Sequence, residues 1–267
     1  MRSQRIEAVV HLAALAYVNE SVRDPSMYYR NNVCGTLSLL DAMCQCGVKR
    51  LVFSSSAAVY GIPSSLPIHE DSCLSPISPY GQSKLMVERI LADYASVNEL
   101  GFAALRYFNA AGASPAGDIG EHHVPETRLI PLALQVALRQ RESIDILGTD
   151  YPTPDGTCIR DYVHVDDLAA AHLQALEWIE PGRGRAFNLG IGRGFSVRKV
   201  IRACEEVSGQ RIPVRPKPRR EGDPPKLIAS PQRAFEELSW KPQYTDLRSI
   251  IETTWRWHRE HPQGYSS

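Results

Sequence analysis

Apolar positions along the 267-residue chain follow two periods. Short continuous apolar runs at 8–12, 50–56, 102–108 and 186–189 predict buried parallel strands, which need no alternation because both faces are covered. Helical periods lie between them. Asp24-Pro25 reads as an N-cap followed by proline at the first helical position. Tyr28, Val33, Leu37, Leu40 and Met43 then mark one face of a helix running to Gly47. A second helix is predicted from Tyr80 to about Asn98, ending before Gly101. This alternation predicts an α/β chain with a doubly wound parallel sheet.

After Asn109 the pattern changes. A Gly/Pro-rich loop, 112–127, leads to a helix at 129–139 and a short strand at 145–147. A loop at 148–161 and a helix at 165–180 follow, with Asp166 and Asp167 suited to the helix's amino end. Gly190-Ile191-Gly192-Arg193-Gly194 joins the 186–189 strand to a helix at 196–208. It imitates a dinucleotide fingerprint, but it comes late and no ribose-reading acid clearly follows.

Polar residues gather where strands end and helices begin. Ser54-Ser55-Ser56 closes one strand, at the carboxyl edge where parallel sheets bind ligands. Arg106-Tyr107-Phe108-Asn109 closes the next. Between them, Tyr80 and Lys84 are four apart and share a helix face. A phenol ionises near ~10, and an ammonium or a cationic cofactor ring beside it favours the phenolate. Lowering that value to ~7 takes roughly 4 kcal/mol of differential stabilisation. The product is a general base for an alcohol proton while a cofactor takes the hydride. The pair alone fits a solvated lysine below a capping tyrosine; the hydroxyl-rich strand ends on either side favour chemistry.

Composition narrows the classes. Thirty basic and 30 acidic residues give a formal net charge of zero, so no global basic field draws in nucleic acid. Six scattered cysteines suit reduced cytoplasmic thiols better than a disulfide framework. No metal site is expected: Cys44-Gln45-Cys46 is too tightly spaced, and His122-His123 is read as lacking a carboxylate at ligand spacing. Arg2 and Arg5 before the apolar run at 8–18, with Ala14-Leu15-Ala16, imitate a secretory leader. Glu7 and His11 interrupt that run, and the strand reading is preferred. No apolar run approaches the ~20 residues of a membrane span.

These motifs resemble the extended short-chain dehydrogenase/reductases and, within them, the UDP-glucose 4-epimerases. The likeness rests on His11-Leu12-Ala13-Ala14, Tyr28-Tyr29-Arg30-Asn31-Asn32-Val33, the 54–61 and 78–84 stretches, and Arg106-Tyr107-Phe108-Asn109. It continues through 155–165, Arg219-Arg220-Glu221-Gly222-Asp223 and His261-Pro262-Gln263-Gly264-Tyr265, so it spans nearly the whole chain. The resemblance implies a partial, Rossmann-like NAD-binding domain at 1–110. A smaller UDP-sugar-binding α/β portion would occupy 111–267, with some segments returning to the first domain. It implies epimerisation of UDP-glucose and UDP-galactose at carbon 4 through a transient 4-keto sugar, with tightly bound NAD, in a cytoplasmic homodimer.

The resemblance also implies roles. Tyr80 would be the base, Lys84 would lower its pKa and bind the nicotinamide ribose, and Ser56 would orient the hydroxyl. Leu12, Ala13, Ala14, Asn32, Ser54 and Tyr107 would border the cofactor. Arg160 and Arg220 suit the diphosphate by charge and fork geometry. Asp223 would accept from the uridine ribose and Asn109 would contact sugar or diphosphate, while Arg219 reads as a solvated charge. The Gly190–Gly194 turn would belong to the substrate side.

The chain departs from the family at Ala16, where some relatives carry lysine, at Arg128 (asparagine or histidine) and at Leu227 (tyrosine in some). The smaller Leu227 suggests room for an N-acetyl group. Dehydratases of the family need an acidic pair where Ser56-Ala57-Ala58 stands, which disfavours elimination; a decarboxylase and a non-catalytic nucleotide-sugar-binding remnant remain alternatives. The strand and glycine-rich turn expected to cradle pyrophosphate do not precede Ala8. The expectation is an amino-terminally truncated sheet with weak or no NAD retention.

Overall fold

The computed structural model describes residues 4–220 and 222–265. Arg2, from the leader-like pattern, and Glu221, from the Arg219–Asp223 motif, lie outside the described residues. The elements in order are β1 (Val9–His11), α1 (Val18–Arg23), α2 (Pro25–Tyr28), a π-helical segment (Tyr29–Cys34), α3 (Gly35–Cys46), β2 (Arg50–Ser56), α4 (Pro79–Asn98), β3 (Gly101–Tyr107) and β4 (Asn109–Ala111). Then come α5 (Leu129–Ala137), β5 (Ile144–Leu147), β6 (Ile159–His164), α6 (Val165–Trp178), β7 (Gly184–Leu189), β8 (Gly194–Ser196), α7 (Val197–Ser208), β9 (Val214–Lys217), β10 (Lys226–Leu227), α8 (Gln232–Glu237) and α9 (Leu247–Glu260). They form two compact units. One holds the chain up to Tyr107 with Ala170–Leu189 and Ser230–Trp240; the other holds Phe108–Ala169, Gly190–Ala229 and Lys241 onward.

The first unit is built on a parallel sheet in the order β1-β2-β3-β7. Parallel neighbours need crossovers, and the helices at 25–46 and 79–98 supply the first two. Val9–His11 of the run that imitated a leader form β1, paired with Leu51, Val52 and Phe53 of β2. One apolar cluster joins sheet to helices: Leu40 and Met43 from α3, Val87 and Leu91 from α4, Leu51 and Phe53 from β2, and Phe102 and Ala104 from β3.

The helix expected as one piece from 25 to 47 contains a π turn. Tyr28 and Val33 are five apart, a spacing that a π turn places on one side and an α-helix does not. From Val33 onward the spacings of four and three return to α-helical, and Leu40 and Met43 are fully buried. Asp24 caps the start by accepting from the Met27 N–H, and Gly47 ends the helix in the left-handed region at φ 71°.

In the second unit β6 pairs parallel with β4 and β10 and antiparallel with β8, while β5 and β9 form a separate parallel pair. The α5, α7 and α9 helices pack a shared core of Leu134, Val200, Cys204, Ile250 and Ile251. Two expectations are corrected here. The 148–161 segment is not wholly loop, because β6 begins at Ile159. The Gly190–Gly194 turn does not open directly into a helix, because β8 intervenes and Ser196 serves as the N-cap of α7.

Candidate active site

The sequence places Tyr80 and Lys84 through the first turns of α4. Ser78 is the N-cap, accepting from the Gly81 N–H, and Pro79 opens the helix. Gly81 is needed for close approach: a Cβ there would lie 2.6 Å from the Ala58 carbonyl oxygen. That contact sets the start of α4 against the turn that follows β2. Lys84 Nζ donates to the Ser54 carbonyl at 2.7 Å, lies over the Phe53 ring at 4.9 Å, and is 5.9 Å from the Tyr80 ring centroid. Tyr28 meets Tyr80 edge-on at 6.5 Å.

Lys84 is 3% exposed. Burial pushes its ammonium down to about 8, and Glu88, one helical turn on, opposes that. Glu88 is itself engaged. Arg106 holds both its oxygens, at 3.0 and 2.6 Å, and Ser55 donates to it at 2.5 Å. The lysine charge therefore acts on Tyr80 with little local cancellation. A unit charge ~6 Å away at an effective dielectric near 20 stabilises a phenolate by roughly 3 kcal/mol. That is most, but not all, of what a base working near neutrality requires.

Two further hydroxyl groups stand at the ends of β2 and β3. Ser56 Oγ accepts from the Ala58 N–H at 3.2 Å, which leaves its own hydrogen to donate. Tyr107 hydrogen-bonds Ser54 and the His172 ring nitrogen, and burial raises its pKa. His172 escaped sequence reasoning because it sits among alanines and leucines with no motif around it.

Asn32 lies in the π segment and is 3% exposed. Its side-chain oxygen accepts from the Leu15 N–H at 2.9 Å, and its amide nitrogen donates to the Leu15 carbonyl and Ser83 Oγ, both at 3.0 Å. It thus acts as a one-residue β-bridge that fixes the chain just after Leu12, Ala13 and Ala14. Leu12 is 59% exposed, so this turn offers its surface to a ligand.

The second unit carries the basic candidates. Arg160 is buried and its Nη2 pairs with Asp223 Oδ1 at 2.5 Å, so two residues read as separate substrate contacts meet each other. Arg220 is exposed and has no ion pair among the described residues. Arg219 is exposed, as a solvated charge would be, and it pairs at the surface with Asp150 at 2.7 Å and lies 4.4 Å over the Tyr151 ring. Asn109 opens β4, in register with Tyr162 of β6.

The Gly190–Gly194 turn is already filled. Asp161 accepts from the Ile191, Gly192 and Ala229 N–H groups at 2.8, 3.0 and 3.2 Å. A Cβ on Gly190 would stand 2.7 Å from the same carboxylate. An internal carboxylate occupies the donors that a phosphate would use. The reading of His122-His123 as lacking carboxylates is also corrected: His123 Nδ1 lies 3.0 Å from Glu121 and 3.7 Å from Glu126. Arg128 is the other partner of Glu121, at 2.5 Å.

Comparison with known proteins accounts for this arrangement. The profile of the NAD dependent epimerase/dehydratase family matches residues 1–190. The UDP-glucose 4-epimerase of Halalkalibacterium halodurans is 51% identical over 98% of this chain and 79% of its own length. The crystal structure of UDP-glucose-4-epimerase from Stenotrophomonas maltophila, with bound NAD and formylated UDP-arabinopyranose, superposes with a TM-score of 0.94 at 42% identity, over 98% of this chain and 79% of that one. The UDP-glucose 4-epimerase from Bifidobacterium longum, in complex with NAD+ and UDP, gives 0.93 at 40% identity, over 98% and 78%. The chain, with its parallel sheet and its tyrosine and lysine at the head of α4, belongs to the NAD-dependent epimerase/dehydratase family.

Proposed function

We propose that this protein is an isomerase that inverts carbon 4 of UDP-hexoses, with Tyr80 as its base. The observation that carries the assignment of roles is the buried Lys84, held beside Tyr80 by the Ser54 carbonyl with no carboxylate paired to its ammonium among the described residues. The ammonium carries three donors, of which one goes to the Ser54 carbonyl, and its remaining capacity suits a ribose diol. The residues thus fit NAD, which supplies a hydride acceptor and donor when bound. Leu12, Ala13 and Ala14, fixed through Asn32, border the cofactor with Ser54 and Tyr107 in this reading.

Tyr80 takes the proton of the sugar 4-hydroxyl and later returns it. Lys84 stabilises the phenolate, and Ser56 donates to the sugar oxygen and relays the proton. Inversion requires the sugar to present both faces in turn, so it is gripped through its nucleotide. Arg160 and Arg220 anchor the diphosphate, Asp223 accepts from the uridine ribose, and Asn109 contacts the sugar or diphosphate. Electrostatic contact with phosphate holds the substrate without fixing the ring.

UDP-glucose and UDP-galactose are the substrates and a homodimer is part of the same reading; the six unpaired cysteines suit a reducing, cytoplasmic setting. Tyr80→Phe tests it: turnover of UDP-galactose should fall by about 10²-fold or more, the usual worth of a general base. Wild-type turnover in Tyr80→Phe would sink the assignment.

A further inference from the structure

The 112–127 loop brings three side chains of metal-ligating type to one point, apart from the residues assigned above. The ligand atoms of Glu121, His123 and Glu126 all lie within 4.8 Å of one another. His123 Nδ1 is 3.0 Å from Glu121 Oε1 and 3.7 Å from Glu126 Oε2. In a tetrahedral site with bonds of ~2.0–2.1 Å, ligand atoms stand about 3.3 Å apart. The two observed spacings bracket that value.

The carboxylates are held in place. Glu126 Oε1 accepts from the Thr127 and Arg128 N–H groups at 2.7 and 2.8 Å, while Oε2 is the oxygen nearer His123. The Glu126 side chain is 6% exposed. An independent observation comes from α9. His258 is 9% exposed and faces Glu126 and His122, and its Nε2 has no hydrogen-bond partner among the described residues. Two carboxylates converge there with one guanidinium, Arg128, on Glu121. Imidazole among the donors favours zinc over magnesium or calcium.

We propose that Glu121, His123 and Glu126 bind a divalent transition metal of the zinc type, with water in the fourth position donating to His258 Nε2. The metal competes with Arg128 for Glu121 and ties the loop to α9.

The test is calorimetric titration of the chelator-stripped chain with zinc chloride, paralleled by magnesium chloride and by metal analysis after gel filtration. One zinc per chain and no magnesium uptake are expected. His123→Ala and Glu121→Gln should each weaken zinc binding by about tenfold or more. Two variants are used, each checked by circular dichroism, so that disturbance of the loop in one leaves the other decisive. Cys44→Ser with Cys46→Ser should leave zinc binding unchanged. No saturable binding, undiminished binding in both ligand variants, or loss in the cysteine variant would overturn the proposal.

Discussion

Lys84 and Ser54 are joined by a single hydrogen bond from Nζ to the backbone carbonyl, 2.7 Å long, and this places a buried ammonium beside Tyr80. The bond is to a neutral dipole, so it holds the lysine without cancelling its charge. The cost appears in the lysine itself, whose pKa falls from 10.5 to about 8. Folded and unfolded chains both carry the proton below the folded value, and the burial penalty is then at full strength. Between about 8 and 10.5 the unfolded chain holds more protons, so the Lys84 contribution to stability rises with pH across that window.

Lys84→Met should therefore stabilise the chain while it removes activity. Removing the penalty at pH 7 is worth about 3 kcal/mol, to order of magnitude. Denaturant unfolding of wild type and variant from pH 7 to 10.5 would show the difference narrowing as pH rises. A variant less stable than wild type at pH 7, or a gap independent of pH, would contradict the account.

Asn32 gives a second prediction. Its amide accepts from and donates to the same residue, Leu15, and a carboxylate can only accept. Asn32→Asp should lose the bond to the Leu15 carbonyl and bury a charge. Unsatisfied buried groups cost about 1–3 kcal/mol each. NAD affinity, followed by fluorescence titration, should fall by roughly tenfold or more as the 12–15 turn loosens. Unchanged affinity would mean that Asn32 plays no part in shaping that turn.

The strand–helix alternation was legible because buried parallel strands and amphipathic helices leave strong periods. The Tyr28-to-Val33 spacing of five also records the π turn, although the surrounding period is that of a continuous α-helix. The carboxyl half was less legible. Strands such as β4, β8 and β10 are two or three residues long and follow no period. The α9 helix does carry one, with Leu247, Ile250, Ile251, Thr254 and Trp257 buried, but it went unread beside the motifs. Site residues in the 54–61 and 78–84 motifs were visible as residue types. Their couplings were not: Asn32 to Leu15, Glu88 to Arg106 and Arg160 to Asp223 join residues 17, 18 and 63 apart.

The Arg160–Asp223 pair makes a prediction about binding. Lysine at 160 keeps the charge but loses the planar fork that can hold Asp223 and an anion together. Arg160→Lys should raise KM for UDP-galactose about tenfold with kcat little changed. Arg219→Ala should leave KM near wild type, because Arg219 is committed to Asp150 and Tyr151. A reversed order of effects would move the diphosphate to Arg219.

Leu227 bears on substrate size. It lies on β10 in register with Arg160, so a change in its bulk is felt beside a residue assigned to the diphosphate. The leucine is half-buried, and a tyrosine ring there would take up more space on that strand. If Leu227 leaves room for an N-acetyl group, the wild-type chain turns over UDP-N-acetylglucosamine as well as UDP-glucose. Leu227→Tyr should then lower kcat/KM for the N-acetylated sugar by about tenfold or more and leave UDP-glucose largely unaffected, a steric discrimination worth ~1–3 kcal/mol. Competition between the two sugars in one assay, resolved by chromatography, reads the ratio directly. Equal loss for both would place Leu227 in packing rather than in selection.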